Sequence, residues 1–166
     1  MLEQAYAHWL VQEEPYPVKD GIVPTSPRGK LVEALNKIRP ASYPEIKGFL
    51  ADTRSDVREI GIVALKERLR QPGGERLRFF SDVERGDVSG HVLGSVLKDR
   101  VPLGPAELAT AEALLGSEHA SVRYSAMELL VEQYLDRERI LGHATMLTRD
   151  SEQQIKDRAF AILDRR

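Results

Sequence analysis

Four histidines, His8, His91, His119 and His143, are the first residues to weigh for chemistry, because imidazole both ligates metals and moves protons near neutral pH. They are scattered along the chain with no His-x-x-x-His pair and no His-Glu-x-x-His run, so their spacing offers no zinc or di-iron site. The chain has no cysteine, which excludes a disulfide, a thiolate nucleophile and a thiolate-held metal. In VSGHVLGS, Ser89 and His91 stand two apart on a predicted helix and point to different faces, so they do not form a nucleophile–base pair. PGGERL at 72–77 has adjacent glycines but neither the lysine nor the preceding strand of a phosphate-binding loop. Carboxylates are plentiful, yet no two are singled out as an acid–base couple. No catalytic residue, metal ligand or cofactor is therefore assigned, and the expected role is non-enzymatic.

The composition bounds the alternatives. The 166 residues are 42% hydrophobic and 30% charged, the balance of a globular chain able to bury a core. A formal net charge of −2 is not that of a protein gripping phosphates over a wide surface. The N-terminal MLEQAYAHWLVQEEP lacks the basic start and long apolar core of a signal peptide. No run approaches the roughly 18 apolar residues that span a bilayer, so no membrane association and a cytoplasmic setting are expected.

The elements that would position any site come from an internal repeat. SDVREIGIVAL (55–65) recurs as GDVSGHVLGSV (86–96), ASVRYSAMELL (120–130) and QQIKDRAFAIL (153–163). The apolar anchors Val57, Val88, Val122 and Ile155 follow one another at steps of 31, 34 and 33 residues. Positions 57, 61, 64, 65 and 68 share one helical face, and the small residue at the second (Gly61, Ala126, Ala159, with Val92 larger) allows a close neighbour. A turn precedes each such helix, and before each turn lies another amphipathic stretch: YPEIKGFLA, ERLRFFSDV, PAELATAEALL and RERILGHATML. Nothing alternates with period two. The expectation is an all-α chain, a short right-handed α-α superhelix of about five antiparallel helix pairs. One domain covers 1–166, with repeats at 40–71, 72–103, 104–135 and 136–166 and an atypical capping pair at 1–39. Within that pair EQAYAHWLVQEE and PRGKLVEALNKI read as helices separated by a proline-rich loop over 14–27, which either caps the core or docks on a partner.

The pattern resembles HEAT repeats in their shorter bacterial form over residues 40–166, with DVREIGIVAL carrying the resemblance most fully. It implies that an aspartate in each turn and an arginine six residues later build a ladder between successive turns. Mapped onto this chain, Asp52 matches Arg58, Asp150 is paired with Lys156, and Ser117 stands opposite Arg123 without a carboxylate. Val83 and Ser89 depart from the pattern in the third unit, where Gly90 and Gly94 suggest a weak joint. These ladder residues read as structural, orienting repeats more than stabilising them.

The resemblance also implies that the second helix of each pair lines a concave, partner-binding face. With 57 and 61 turned to the core, the ridges facing away are Glu59, Val63, Lys66 and Glu67; Gly90, Gly94, Leu97 and Lys98; Tyr124, Glu128, Val131 and Glu132; and Asp157, Ala161, Asp164 and Arg165. Val63, Leu97, Val131 and Tyr124 form an apolar patch edged by Glu59, Glu67, Glu128, Glu132 and Asp157. A register error of one position would instead place the apolar ones in the core. The acidic excess suits a basic protein partner better than a phosphate backbone. The expected function is thus a protein–protein interaction module, with an inhibitory, immunity-type protein masking a toxin as its narrower form. The alternatives are a nucleic-acid-binding or DNA-repair-like protein, whose best basic run is RQPGGERLR at 70–78, and an accessory subunit of a cofactor-attaching lyase. Oligomeric state is left open by the sequence.

Overall fold

The computed structural model describes residues 26–70, 73–97, 103–133 and 136–164, the side chains of Glu132 and Gln133 excepted. Among them are nine α-helices, one 3-10 turn and no strand, so the chain is all-α. The helices are α1 (Pro27–Ile38), α2 (Tyr43–Leu50), α3 (Ser55–Arg68), α4 (Gly74–Glu84), α5 (Gly90–Leu97), α6 (Pro105–Ala113, continued by the 3-10 turn Leu114–Gly116), α7 (Ala120–Gln133), α8 (Arg137–Leu147) and α9 (Gln153–Asp164). The expected helix EQAYAHWLVQEE and most of the 14–27 loop lie outside the described residues. None of the described helices is long and apolar enough to cross a membrane.

Local chemistry sets where these helices start. Ser26 caps α1 by accepting the Gly29 N–H at 2.9 Å, and Pro27 fits the first turn, where its missing N–H costs nothing. Glu45 in the first turn of α2 receives the Ser42 N–H at 2.7 Å and an Arg39 guanidinium N–H at 2.6 Å, and these partners hold its carboxyl down to about 2. Asp136 caps α8 through the Arg139 N–H at 2.9 Å.

The chain divides into two compact units, Met1–Arg68 and Leu69–Arg166. In the first, α3 folds back on α2 and also packs on α1. Val32, Tyr43, Ile46, Phe49, Val57, Ala64 and Leu65 form its core, and Gly61 lets α3 approach the Phe49 side chain and the Leu50 backbone. In the second unit α4 packs on α6, and the second helices pack in series, α5 on α7 and α7 on α9. Phe79, Phe80, Leu93, Leu97, Leu114, Met127, Leu130 and Ile155 are the large buried side chains there.

One register differs from the repeat alignment. α3 begins two residues before its anchor Val57, whereas α5 begins two residues after Val88. The buried face of α5 is consequently Gly90, Leu93, Val96 and Leu97, an i, i+3, i+6, i+7 stripe, and Val92 is only half-buried. Leu97, expected on the exposed ridge, is fully buried. Gly90 is no weak joint: a Cβ there would lie 2.6 Å from the Ser121 carbonyl carbon and the Val122 nitrogen, so its bare backbone is what lets α5 seat against α7.

Two glycine substitutions should therefore have opposite signs. Gly90→Ala forces a methyl group against backbone and should cost about 1–3 kcal/mol. Gly94→Ala, whose Cβ would meet nothing within 4 Å, should stabilise by roughly 0.5–1 kcal/mol. Urea midpoints of the two variants measure the contrast, and equal shifts would contradict the packing described.

Candidate functional site

Two of the turns before the second helices are closed by an arginine in the same way. The Arg58 guanidinium donates to the main-chain carbonyls of Asp52 (2.8 Å) and Thr53 (2.7 Å). Arg123 makes the same pair of bonds to the carbonyls of Ser117 (2.9 Å) and Glu118 (3.0 Å). In three of these turns the first residue's side-chain oxygen also receives the N–H two residues on: Asp52 from Arg54, Ser117 from His119, Asp150 from Glu152. Serine thus performs in the Ser117 turn the local task that aspartate performs in its counterparts.

The carboxylates themselves are taken by arginines from the preceding pair. Asp52 binds Arg28 through both oxygens (3.0 and 2.9 Å), and Asp150 accepts Arg123 Nε and Nη2, each at 2.7 Å, in a bidentate fork. This corrects two pairings. Asp52 meets Arg58 only through its backbone carbonyl, and Asp150 is held by Arg123 rather than by Lys156. The reason is reach: an arginine folded over its own turn still has Nε and Nη2 pointing outward to the next one. Hydrogen bonds from Arg123 lower the Asp150 carboxyl below the usual range against the opposing effect of burial.

Further ion pairs in the second unit link residues 27 to 31 apart, close to the repeat step. Arg158 pairs with Glu128, Arg139 with Glu112, and the fully buried Arg76 with Glu107 at 3.1 Å. Glu107 also accepts the N–H groups of Gly104 (2.8 Å) and Gly73 (3.1 Å). Burial pushes its carboxyl up, but the Gly104 and Gly73 N–H groups and Arg76 outweigh it and the net direction is down. Arg76 Nε and Nη2 donate to the carbonyls of Leu69 and Arg70, so each guanidinium nitrogen finds a partner within the fold.

The space between these fastened helices is the best candidate for binding. A half-open cleft of about 600 Å³ lies between α5, α7 and the turn leading into α9. His91, Gly94 and Ser95 line it from α5; Ser121, Tyr124, Ser125, Glu128 and Leu129 from α7; and Glu152, Gln154 and Ile155 from the last turn and helix. Among the described residues no lysine or arginine lines it. Its walls combine apolar surface from Ala120, Leu129 and Ile155 with hydroxyls, two carboxylates, the His91 imidazole and one phenol ring, and no group of three His, Cys, Asp or Glu suited to a metal occurs among the described residues.

The sequence-predicted residues are only partly brought together. Tyr124 and Glu128 line the cleft, Glu128 being engaged by Arg158, and Val131 lies half-buried further along α7. Asp157 is exposed on α9 and accepts a hydrogen bond from Gln153 at 2.7 Å. Glu59, Val63 and Glu67 are exposed on α3 in the first unit, Val63 at 52%. Leu97 is core, and the side chain of Glu132 lies outside the described residues. Sequence reasoning missed Ser95, Ser121, Ser125, Glu152 and Gln154, and set His91 aside as helix surface. The available signal was the small polar pair Ser121 and Ser125 at i, i+4, beside the Tyr124–Glu128 pair on the same helix.

No protein-family profile, characterised protein or solved structure matches the chain.

The Arg123–Asp150 fork gives a pH test. A carboxylate whose folded pKa is depressed contributes fully above its unfolded value near 3.9, and that contribution is lost as pH falls through the folded value. Asp150→Asn should cost about 1.5–3 kcal/mol near pH 7, where a charged hydrogen bond is removed. The gap between the variant and the parent should shrink between about pH 5 and pH 2. Urea unfolding across that range measures it, and a pH-independent gap would contradict the assignment.

Proposed function

We propose that this chain is a HEAT-like α-solenoid of about five helix pairs, acting as a non-catalytic module that receives a partner protein on the face carrying the α5–α7–α9 cleft. The cleft carries the reading: it is preformed, its described lining has two carboxylates and no lysine or arginine, and it presents an aromatic ring among adaptable hydroxyls. The HEAT-like assignment is supported by helix pairs at a near-constant step and by arginine–carboxylate links spaced close to one repeat. The acidic lining favours a basic protein partner and disfavours a phosphate backbone, which such carboxylates repel. A cytoplasmic inhibitory protein, of the immunity type that masks a toxin, is the narrower form of this proposal.

A photo-crosslinking residue placed at Tyr124 should capture a defined protein in the native cell, while the same residue at Glu84, exposed on α4, should not. With that protein purified, Tyr124→Ala should weaken binding about tenfold or more, as truncating a central aromatic anchor does. Crosslinking to nucleic acid at Tyr124, or unchanged affinity of the variant for the captured protein, would overturn the proposal.

A further inference from the structure

Within the cleft a buried hydroxyl has no partner among the described residues. Ser125 is 6% exposed and lines the cleft, yet its hydroxyl makes no hydrogen bond among the described residues. Ser95, Thr110 and Thr145, by contrast, donate to the carbonyl four residues back, the usual outlet for a helical hydroxyl. A buried hydroxyl left unmade costs free energy, and such groups in a native fold call for a ligand or water to complete them. The Tyr124 hydroxyl, half-buried beside it, likewise has no hydrogen bond among the described residues.

The surroundings specify the ligand's chemistry. Glu152 is exposed at the rim, and no hydrogen bond to its carboxylate occurs among the described residues. Glu128 already holds a guanidinium, that of Arg158, in a two-point contact with Nη2 to Oε2 at 3.2 Å. The wall therefore offers dispersed oxygen acceptors and one aromatic ring, with Gly94 leaving open space on the α5 side. A planar cation carrying five donors can satisfy separated acceptors at once and also stack on the ring, whereas an ammonium is a compact point charge.

We infer that the α5–α7–α9 cleft is an anchor site for an arginine side chain of the partner, its guanidinium donating to the Ser125 hydroxyl and the Glu152 carboxylate with the Tyr124 ring against it. This rests on the protein-binding role proposed above and specifies how the partner is held. The cleft volume exceeds one side chain, so the arginine enters together with the backbone flanking it.

The test uses the full chain, labelled with 15N, titrated with N-acetyl-arginine methylamide and with its citrulline and lysine counterparts. Citrulline keeps the shape without the charge. The arginine probe should give saturable shifts at the amides of 121–128 and 152–155, with the citrulline and lysine probes at least about tenfold weaker. Ser125→Ala and Glu152→Gln, each checked for a native spectrum, should weaken the arginine response about 3–10-fold. An equal response to citrulline or lysine, shifts confined to other helices, or variants that bind like the parent would overturn the inference. The two readings fail separately. A protein captured at Tyr124 with a silent arginine probe leaves the binding module and removes the anchor; an arginine response without a captured protein leaves the cation site and removes the module.

Discussion

An arginine that bonds its own turn and the next one is the constraint on which the second unit depends. Arg123 satisfies two carbonyls of the turn before α7 with one guanidinium nitrogen and grips Asp150 with the other two. A turn exposes carbonyls that no helix ladder can use, and a carboxylate one repeat away needs a donor if it is to be sheltered. One planar side chain meets both needs, which a lysine in the same place could not. The side chains of Arg123 and Asp150 are 12% and 5% exposed, sheltered enough for geometry to matter more than bulk charge screening.

That staple sets the spacing of α7 and α9, and the spacing makes the cleft. On the α5 side the distance is set differently, by Gly90 lying bare against the Ser121–Val122 backbone. The result is one tight helix contact and one fastened by charge, with hydroxyl-bearing side chains between them. Function here follows from what the packing leaves unfilled. The Arg76–Glu107 pair shows the contrast, because all three guanidinium nitrogens of that buried charge donate to the protein itself.

Much of the helical architecture was legible in the sequence. Apolar anchors at steps of 31 to 34 residues fall on α3, α7 and α9 or just before α5, and PRGKLVEALNKI is α1 residue for residue. The register of α5 was not legible. Without the turn aspartate and arginine at 83 and 89, the helix begins later, at Gly90, and the stripe that follows carries Leu97 inward. The ladder's partners were hidden for a related reason: a six-residue spacing within one turn and a 27-residue step to the next compete in sequence, and only the reach of Arg123 decides between them. The cleft was hidden most deeply, since it is made by residues that are small or unbonded, Gly94, Ser121 and Ser125, and such residues leave no hydrophobic signature.

The most direct measurement of the staple's role is amide hydrogen exchange in Arg123→Met, compared with the parent chain under native conditions. If Arg123 holds α9 against α7, protection should fall across 150–164 while the amides of α4 and α5 keep theirs, a local opening rather than a global one. Protection unchanged in α9, or lowered equally throughout the second unit, would contradict it.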